Sequence, residues 1–501
     1  MLCTLNLAMK IKILVILNLL LISSYFAQSQ PALNSPAVEK VWGQYNKYKE
    51  SAITNRFMKH SEMIPLIQKH VDSKFVTKEE IGKSVRNRSI NHLTAGRGKT
   101  KVMLWSQMHG DESTATMALF DMFNFLSAND DNDKLRNLIL DNLELHFVPM
   151  LNPDGAQAWK RRNDLEIDIN RDARMLVTPE GKALMGLAKK LQPQIGFNLH
   201  DQNYLYSSGR SKNSATISFL APAYNYQKDM NAVRRRATQI ILTMNKALQT
   251  KSSGNVAKYN DDFDPRCFGD TFQGMGISTI LIESGGYYHD PEKQFIRKLN
   301  FLALLSAFES IAANTYEKEN IKDYDLIPEN ENSLYDVFVK NVTVNKEGFE
   351  FKTHLGINRS QIRTADNSGM TYNGRIAELG DQELMFGYDE IDATGLKFTP
   401  AKIKTMTKAE WEKLNPQQEL DLIRQGFLFV KWSDAKSPTG AIKNRLLNLT
   451  NSKENQVQEA GIGQNAQFLL TKEGKPVFAV VNGYKIDLGQ PAQVLSNTYG
   501  Y

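Results

Sequence analysis

Apolar runs alternate with amphipathic stretches between residues 60 and 316, a pattern that predicts strands followed by helices. Residues 100–107 form one apolar run that predicts a buried strand. A helix follows it, with Leu119, Met122, Phe123 and Leu126 on one face and Ser113 as its predicted N-cap. Further strands are predicted at 143–150, 195–200 and 277–282, and further helices at 181–191, 230–248 and 295–316. This order predicts an α/β fold.

The pattern changes near residue 318, where short alternating runs replace the helices. Residues 334–344, 349–355, 382–388 and 427–432 predict strands, and Asn415 with Pro416 predicts the start of one helix over 416–425. Two or three strands joined by Glu-Gly and Asn-Gly turns are predicted over 466–488. At 501 residues, two domains are the expectation. We place them at 31–318 and 319–501, the second a smaller β-rich accessory domain.

The N-terminus has the pattern of a signal peptide. Lys10 and Lys12 precede an apolar run over residues 13–26, which is short for a membrane span, and Ala27-Gln28-Ser29 follows as a cleavage signature. We predict a signal peptide at residues 1–29 and export to the periplasm or the medium. An uncleaved anchor is the alternative, and Met9 is an alternative start.

Composition narrows the class of protein only a little. The chain is 41% hydrophobic and 23% charged, as in an ordinary globular protein, and its net charge of +6 comes from scattered Lys and Arg residues. Nucleic-acid binding is therefore not indicated. Of two cysteines, Cys3 lies in the predicted signal peptide, which leaves Cys267 without an internal disulfide partner. An exported protein without disulfides favours a bacterial envelope.

Four side chains with metal or acid–base chemistry follow predicted strands. His109 and Glu112 lie at the turn after residues 100–107, His200 ends the run 195–200, and Glu283 follows 277–282. Ligands bind beyond the carboxyl ends of strands in open α/β sheets, and zinc accepts this mixture of imidazole and carboxylate. Two alternatives stay open, a structural histidine at 109 and a Glu283 that pairs with a nearby arginine.

Further motifs lie between these strand ends. Asn152-Pro153-Asp154-Gly155 is a strong turn signal, and an arginine-rich stretch follows, with Arg161 flanked by Lys160 and Arg162. Asp168-Ile169-Asn170-Arg171 comes next. The arginines by themselves also fit a solvated surface.

Together, in this order, the motifs resemble the zinc carboxypeptidase family, the M14 peptidases, over about residues 60–315. The resemblance implies a central mixed sheet flanked by helices and an exported metallocarboxypeptidase with one Zn²⁺ per chain. It implies that His109, Glu112 and His200 bind the metal, that Glu283 is the general base, and that Arg161 polarises the scissile carbonyl. Asn170 and Arg171 then bind the substrate's terminal carboxylate, and Tyr259 is the candidate for the family's mobile tyrosine. Lys160 and Arg162 remain alternatives for Arg161.

The implied partner is a peptide or protein with a free C-terminus, with no nucleic acid and no stable membrane span. Gly269 precedes Asp270 where a charged selector is often found, so no preference for the C-terminal residue is predicted. Two alternatives to a peptide carboxypeptidase are an amidase acting on cell-wall peptides and an inactive member that binds peptides. A third assigns the main function to the β-rich domain as a glycan- or protein-binding module.

Overall fold

The computed structural model describes residues 35–363, 370–442, 445–452, 456–457, 459–492 and 498–500. The predicted signal peptide lies outside them. The helices are α1 (Pro36–Gly43), α2 (His60–Asp72), α3 (Thr114–Ser127), α4 (Asp133–Asn142), α5 (Pro153–Ala158), α6 (Pro179–Leu191), α7 (Ala232–Gln249), α8 (Phe268–Gly274), α9 (Gln294–Ala312), α10 (Lys408–Lys413) and α11 (Pro416–Arg424). Short 3₁₀ helices occupy Tyr45–Lys47, Ile169–Arg171, Thr315–Lys318 and Ile321–Leu326.

Strands occupy both halves of the chain. In the first half they are β1 (Thr77–Lys83), β2 (Ser89–Ala95), β3 (Thr100–Trp105), β4 (Leu143–Val148), β5 (Ile195–Asp201), β6 (Tyr206–Ser208), β7 (Ile217–Leu220), β8 (Val256–Lys258) and β9 (Ser278–Ser284). In the second half they are β10 (Asn330–Asn332), β11 (Leu334–Lys346), β12 (Phe349–Arg363), β13 (Met370–Gly380), β14 (Phe386–Asp392), β15 (Lys397–Met406), β16 (Phe427–Trp432), β17 (Gly440–Ile442), β18 (Asn448–Leu449), β19 (Gln456–Val457), β20 (Phe468–Lys472), β21 (Lys475–Val481), β22 (Tyr484–Asp487) and β23 (Thr498–Gly500).

The first sheet is mixed and has eight strands in the order β1-β2-β4-β3-β5-β9-β7-β8. Its centre, β4-β3-β5-β9, is parallel, whereas β1, β2 and β7 each pair antiparallel with a neighbour. Parallel central strands are buried on both faces, which explains their continuous apolar runs. The predicted central mixed sheet flanked by helices is confirmed.

Helices cover both faces of this sheet. Alternate residues of β3 point to opposite sides, so Val102 and Leu104 join the core under α3, α7 and α9, whereas Met103 and Trp105 join the core under α6 and α8. α3 is buried on nearly all sides, not only on the predicted apolar face. Ser113 lies at its N-cap position, but the Ser113 hydroxyl donates to the backbone oxygen of Arg56 rather than capping the helix.

The second half of the chain forms a larger mixed sheet of thirteen strands, in agreement with the predicted β-rich character. Asn415 caps α11 as expected, and α10 is a further helix that the sequence pattern did not indicate. The Glu473-Gly474 and Asn482-Gly483 turns join β20, β21 and β22, with positive φ at all four residues. Such φ values are typical of two-residue hairpin turns.

The two regions meet along a polar junction. β6 pairs antiparallel with β10, which joins the chain just before β11 to the first region. The Tyr204 hydroxyl lies 2.8 Å from Asp336 Oδ2 and 2.7 Å from the backbone oxygen of Arg359. The Tyr388 hydroxyl in turn donates to the backbone oxygen of Tyr204 at 2.5 Å. The boundary at residue 318 stays a prediction, as does the division into domains.

Among the residues that the structure describes, no helix is long and apolar enough to cross a membrane.

Candidate active site

Three predicted ligands converge at the carboxyl edge of the parallel strands. His200 is the penultimate residue of β5 and pairs in register with Glu283 on the adjacent strand β9. His109 lies just beyond β3, the neighbour of β5 on its other side, and Glu112 follows on the same turn. Because parallel strands end at one edge, residues far apart in the chain meet there.

Close backbone packing holds the turn that carries His109. A Cβ atom on Gly110 would come within 2.0 Å of the backbone of Gly155, so a side chain at position 110 would disrupt the contact. Asn152 accepts from the Gly155 amide with its side chain and donates its own amide to the backbone oxygen of Gln107 at 2.9 Å. The Asn-Pro-Asp-Gly turn therefore supports the turn that carries His109 and Glu112 directly.

His109, Glu112 and His200 form a compact cluster of buried donors. His109 Nδ1 lies 2.8 Å from Glu112 Oε1 and 3.1 Å from His200 Nδ1, and His200 Nδ1 lies 2.8 Å from Glu112 Oε2. Two atoms held at about 2.1 Å by a tetrahedral zinc ion lie roughly 3.4 Å apart, which is close to these separations. The three side chains fit a metal site, and two imidazoles with one carboxylate are a donor set that zinc accepts.

The charged groups of the cluster shift one another's pKa values. Burial opposes the charged imidazole, but the carboxylates of Glu112 and Asp168 raise the pKa of His109 to about 9. The two histidines in turn hold the pKa of Glu112 well below its usual value, despite burial. The negative charge that attracts a proton to His109 also attracts a divalent cation.

Asp168 is a site residue that the sequence motifs did not single out. Its Oδ1 lies 3.0 Å from His109 Nε2, the ring nitrogen that faces away from the cluster. Its side chain also accepts from the Asn170 amide, which places the 3₁₀ turn Ile169–Arg171. A carboxylate on the far nitrogen of a metal-binding histidine orients the ring. The Asp-x-Asn-Arg spacing was the only signal for it.

Glu283 is buried beside the cluster without an ion pair. Its Oε2 has no hydrogen-bond partner, and no basic group lies within 4.0 Å of its carboxylate, among the residues described. Burial and the nearby charge of Glu112 raise its pKa well above the usual value. The alternative of a structural Arg–Glu283 pair has no support in this geometry.

Arg161 contacts the His109–Glu112–His200 cluster, whereas the adjacent residues Lys160 and Arg162 contact a different residue. Arg161 Nη1 donates to Glu112 Oε1 at 2.9 Å, and Nη2 donates to Asp168 Oδ2 at 3.1 Å. Lys160 and Arg162 both contact Glu166 instead. The Arg161 side chain is 46% exposed, so its guanidinium is accessible from the cavity.

The remaining predicted residues lie further along the same cavity. Asn170 accepts from the Phe268 amide, and Arg171 Nη1 donates to the Asn170 backbone oxygen at 2.8 Å and to Cys267 Sγ at 3.1 Å. The negative charge of Glu283, together with burial, raises the pKa of Tyr259. The Tyr259 hydroxyl therefore stays protonated at neutral pH.

All eight predicted residues line one cavity of about 390 Å³. They are His109, Glu112, His200, Glu283, Arg161, Asn170, Arg171 and Tyr259. A larger groove of about 740 Å³ lies in the second region around Phe351 and His354, and no comparable cluster of His, Cys, Asp or Glu lies there among the residues described. The candidate site is therefore identified by its cluster of potential metal-binding side chains and not by the volume of its cavity.

Comparison with known proteins gives a family match over part of the chain that carries the candidate site. Residues 66–175 match the zinc carboxypeptidase family. This stretch contains His109, Glu112, Arg161, Asn170 and Arg171, so the predicted resemblance is confirmed there. His200, Tyr259 and Glu283 lie beyond it.

Individual relatives share short segments with the chain. Carboxypeptidase SOL1 of Arabidopsis thaliana is 33% identical over 103 residues, 19% of this chain and 21% of that protein. Carboxypeptidase M of Mus musculus is 29% identical over 143 residues, 24% of this chain and 32% of that protein. The matched part therefore spans only about a fifth to a third of these curated relatives.

Solved structures resemble the chain more loosely. A metallo-carboxypeptidase from Burkholderia cenocepacia aligns with a TM-score of 0.42 and 16% identity over 51% of this chain and 69% of that chain. Thrombin-activatable fibrinolysis inhibitor aligns with a TM-score of 0.44 and 14% identity over 56% of this chain and 81% of that chain. The assignment of the fold class rests on the sheet order itself.

Proposed function

We propose that this chain is an exported zinc metallocarboxypeptidase that hydrolyses the C-terminal residue of peptides. The observation that supports it best is the buried His109–Glu112–His200 cluster beside the unpaired carboxylate of Glu283. Export rests on the predicted signal peptide. The family match over residues 66–175 agrees with the class of reaction.

His109, Glu112 and His200 are the residues that hold the metal in this proposal. A zinc ion at such a site supplies a water whose pKa is lowered to about 7 and polarises a carbonyl oxygen. Glu283 accepts a proton from the attacking water and later delivers it to the leaving amine. Because no ion pair or hydrogen bond engages its Oε2 among the described residues, this oxygen is free to exchange that proton.

Arg161 and Tyr259 bind the reacting part of the peptide. Arg161 is held by Glu112 and Asp168 with its guanidinium at the cavity surface, where it stabilises negative charge on the scissile carbonyl oxygen. Tyr259, protonated beside Glu283, is a hydrogen-bond donor for the same substrate.

Asn170 and Arg171 make the enzyme an exopeptidase. The Arg171 guanidinium offers two parallel donors that match a carboxylate, and the Asn170 side chain adds polar groups beside it. The Arg171 side chain is 42% exposed, and its Nε lies 3.5 Å from Asp264 Oδ2. At this distance and exposure the ion pair is weak, so a substrate carboxylate can replace Asp264.

The test is mass spectrometry of a mixed peptide pool incubated with the zinc-loaded protein, each peptide supplied with a free and with an amidated C-terminus. We expect stepwise loss of C-terminal residues from the free acids only. The Glu283→Gln variant is the matched control, which retains the metal and loses turnover by about 10²- to 10⁴-fold. Equal cleavage of amidated peptides would refute the exopeptidase assignment, and no cleavage by the wild-type protein would refute the peptide substrate.

A further inference from the structure

A second cavity, of about 320 Å³, lies where the first region meets the β-rich region. Its lining includes Tyr204 and Tyr288 from the first region and Tyr372, Tyr388 and Tyr484 from the second. It shares no lining residue with the candidate active site. Tyrosine rings contact a ligand over a large area while their hydroxyls remain available for hydrogen bonds.

Most charged groups of this cavity already have partners. Arg359 donates twice to Asp336 Oδ1, at 3.0 and 2.7 Å, and stacks over the Tyr484 ring at 4.2 Å. Asp290 accepts from backbone amides at the start of α9, beginning with Gln294 at 2.7 Å. Two further pairs complete the set, Lys293 with Asp201 at 2.9 Å and Tyr288 with Asp389 at 2.7 Å.

Arg56 differs from these groups. It is 6% exposed and lines the cavity, yet no carboxylate lies within 4.0 Å of its guanidinium in the described part of the chain. Its Nε has no hydrogen-bond partner there, and Nη2 donates only to the uncharged amide of Gln361. Glu292 contacts the Arg56 backbone amide rather than its side chain.

Arg56 Nη2 donates to Gln361, and both residues line the cavity together with the tyrosines. The positive charge of Arg56 counteracts the burial that raises the pKa of Tyr372 in the same lining. A buried cation without a counter-ion is costly, and a charge-assisted bond from a carboxylate compensates that cost. The cavity therefore matches a ligand that carries one carboxylate beside a hydrophobic surface.

The cavity lies next to the catalytic strands. Lys293, in its lining, donates to Asp201 Oδ2 at 2.9 Å and to the Ser284 backbone oxygen at 3.0 Å, and these residues follow His200 and Glu283. Gly285, also in the lining, is two residues past Glu283, roughly 7 Å along an extended chain. Two residues of extended peptide span about the same distance.

We propose that this cavity is a second substrate subsite, in which Arg56 binds the side-chain carboxylate of an acidic residue two or three positions N-terminal to the scissile bond. The inference rests on the proposed carboxypeptidase function. It assigns the β-rich region a direct part in substrate selection, through Tyr372, Tyr388 and Tyr484.

The test compares two libraries of acetylated peptides with randomised C-terminal residues and either Glu or Gln fixed at the second or third position before the scissile bond. For the wild-type protein we expect kcat/KM to favour Glu about tenfold, equivalent to about 1.4 kcal/mol. In Arg56→Gln that ratio falls to about one, and in Arg56→Lys it falls part of the way. Arg97→Gln is the matched control, because Arg97 is 75% exposed and pairs with Asp141 far from the cavity.

A binding experiment distinguishes failure of the subsite proposal from failure of the proposed carboxypeptidase function. Calorimetric titration of Glu283→Gln with the same peptides should give the same tenfold preference, lost in Glu283→Gln/Arg56→Gln. If the wild-type protein cleaves nothing but this preference remains, the carboxypeptidase reaction is wrong and the subsite stands. If Glu and Gln peptides are cleaved and bound equally by the wild-type chain, the subsite is wrong, whether or not Arg56→Gln folds. Binding of free N-acetylglutamate without any gain for Glu peptides would instead identify an anion site unrelated to substrate.

Discussion

Replacement of Asp168 tests how the proposed metal ligand His109 is held in place. Asp168 Oδ1 lies 3.0 Å from His109 Nε2, and its other oxygen accepts from Arg161 at 3.1 Å. Its side chain is 11% exposed, so water screens these bonds little. Loss of such a partner behind a metal-binding histidine costs typically about 10–100-fold in metal affinity.

The magnitude depends on the substitution. Asp168→Asn keeps an oxygen that accepts from His109 but loses the charge, so we expect zinc affinity to fall about tenfold, the lower end of that range. Asp168→Ala removes the acceptor, and we expect about 100-fold, which corresponds to about 2.7 kcal/mol. The measurement is competition for zinc against a fluorescent chelator of known affinity.

Asp164→Asn is the control for this series, because Asp164 pairs with Arg86 at 2.7 Å and contacts no proposed ligand. Its zinc affinity should equal that of the wild-type chain. Thermal melting of each variant separates loss of metal affinity from loss of fold. Unchanged affinity in a folded Asp168→Ala protein would refute the orienting role.

Arg171, Asp121 and Asp270 allow three further tests. Arg171→Ala should lower kcat/KM on free-acid peptides about 10–100-fold, because the substrate carboxylate loses its charged partner, and an unchanged kcat/KM would remove its proposed role. Asp121→Asn should destabilise the chain by about 3–5 kcal/mol in urea unfolding, because it leaves Arg297, buried completely, without its carboxylate; a loss below about 1 kcal/mol would contradict this. Burial raises the pKa of Asp270 to about 7, so its folded form binds a proton that the unfolded chain releases, and stability declines as pH rises from about 4 to 7. Asp270→Asn should therefore gain about 1–3 kcal/mol over the wild-type protein at pH 8 and little at pH 4, and a pH-independent difference would contradict that assignment.

The strands that position the candidate site could be predicted, because each coincides with a recognisable apolar run in the sequence. His109 follows β3, His200 and Glu283 lie near the carboxyl ends of β5 and β9, and parallel strands bring these ends together. The hairpins in the last part of the chain were predictable for a similarly local reason, since Asn482-Gly483 requires positive φ.

Elements that depend on distant partners could not be predicted in this way. β7 and β8 are short strands that pair with each other, and β7 also pairs with β9. β13 and β15 likewise gave no clear alternation. Their stability comes from neighbouring strands rather than from their own pattern.

Contacts of single side chains could not be predicted from the sequence either. Asp168 meets His109 only because a 3₁₀ turn returns the chain beneath the ligand. Arg56 becomes a cavity residue only when the β-rich region packs against the first region, which no local pattern near residue 56 indicates.

In the proposed function, one zinc ion held by His109, Glu112 and His200 supports peptide hydrolysis. The most direct measurement is titration of the chelator-treated protein with Zn²⁺ while C-terminal residue release is followed. We predict no release before zinc is added, a linear rise, and a plateau at one zinc per chain. Full activity in excess chelator, or a plateau that requires two ions per chain, would contradict the account.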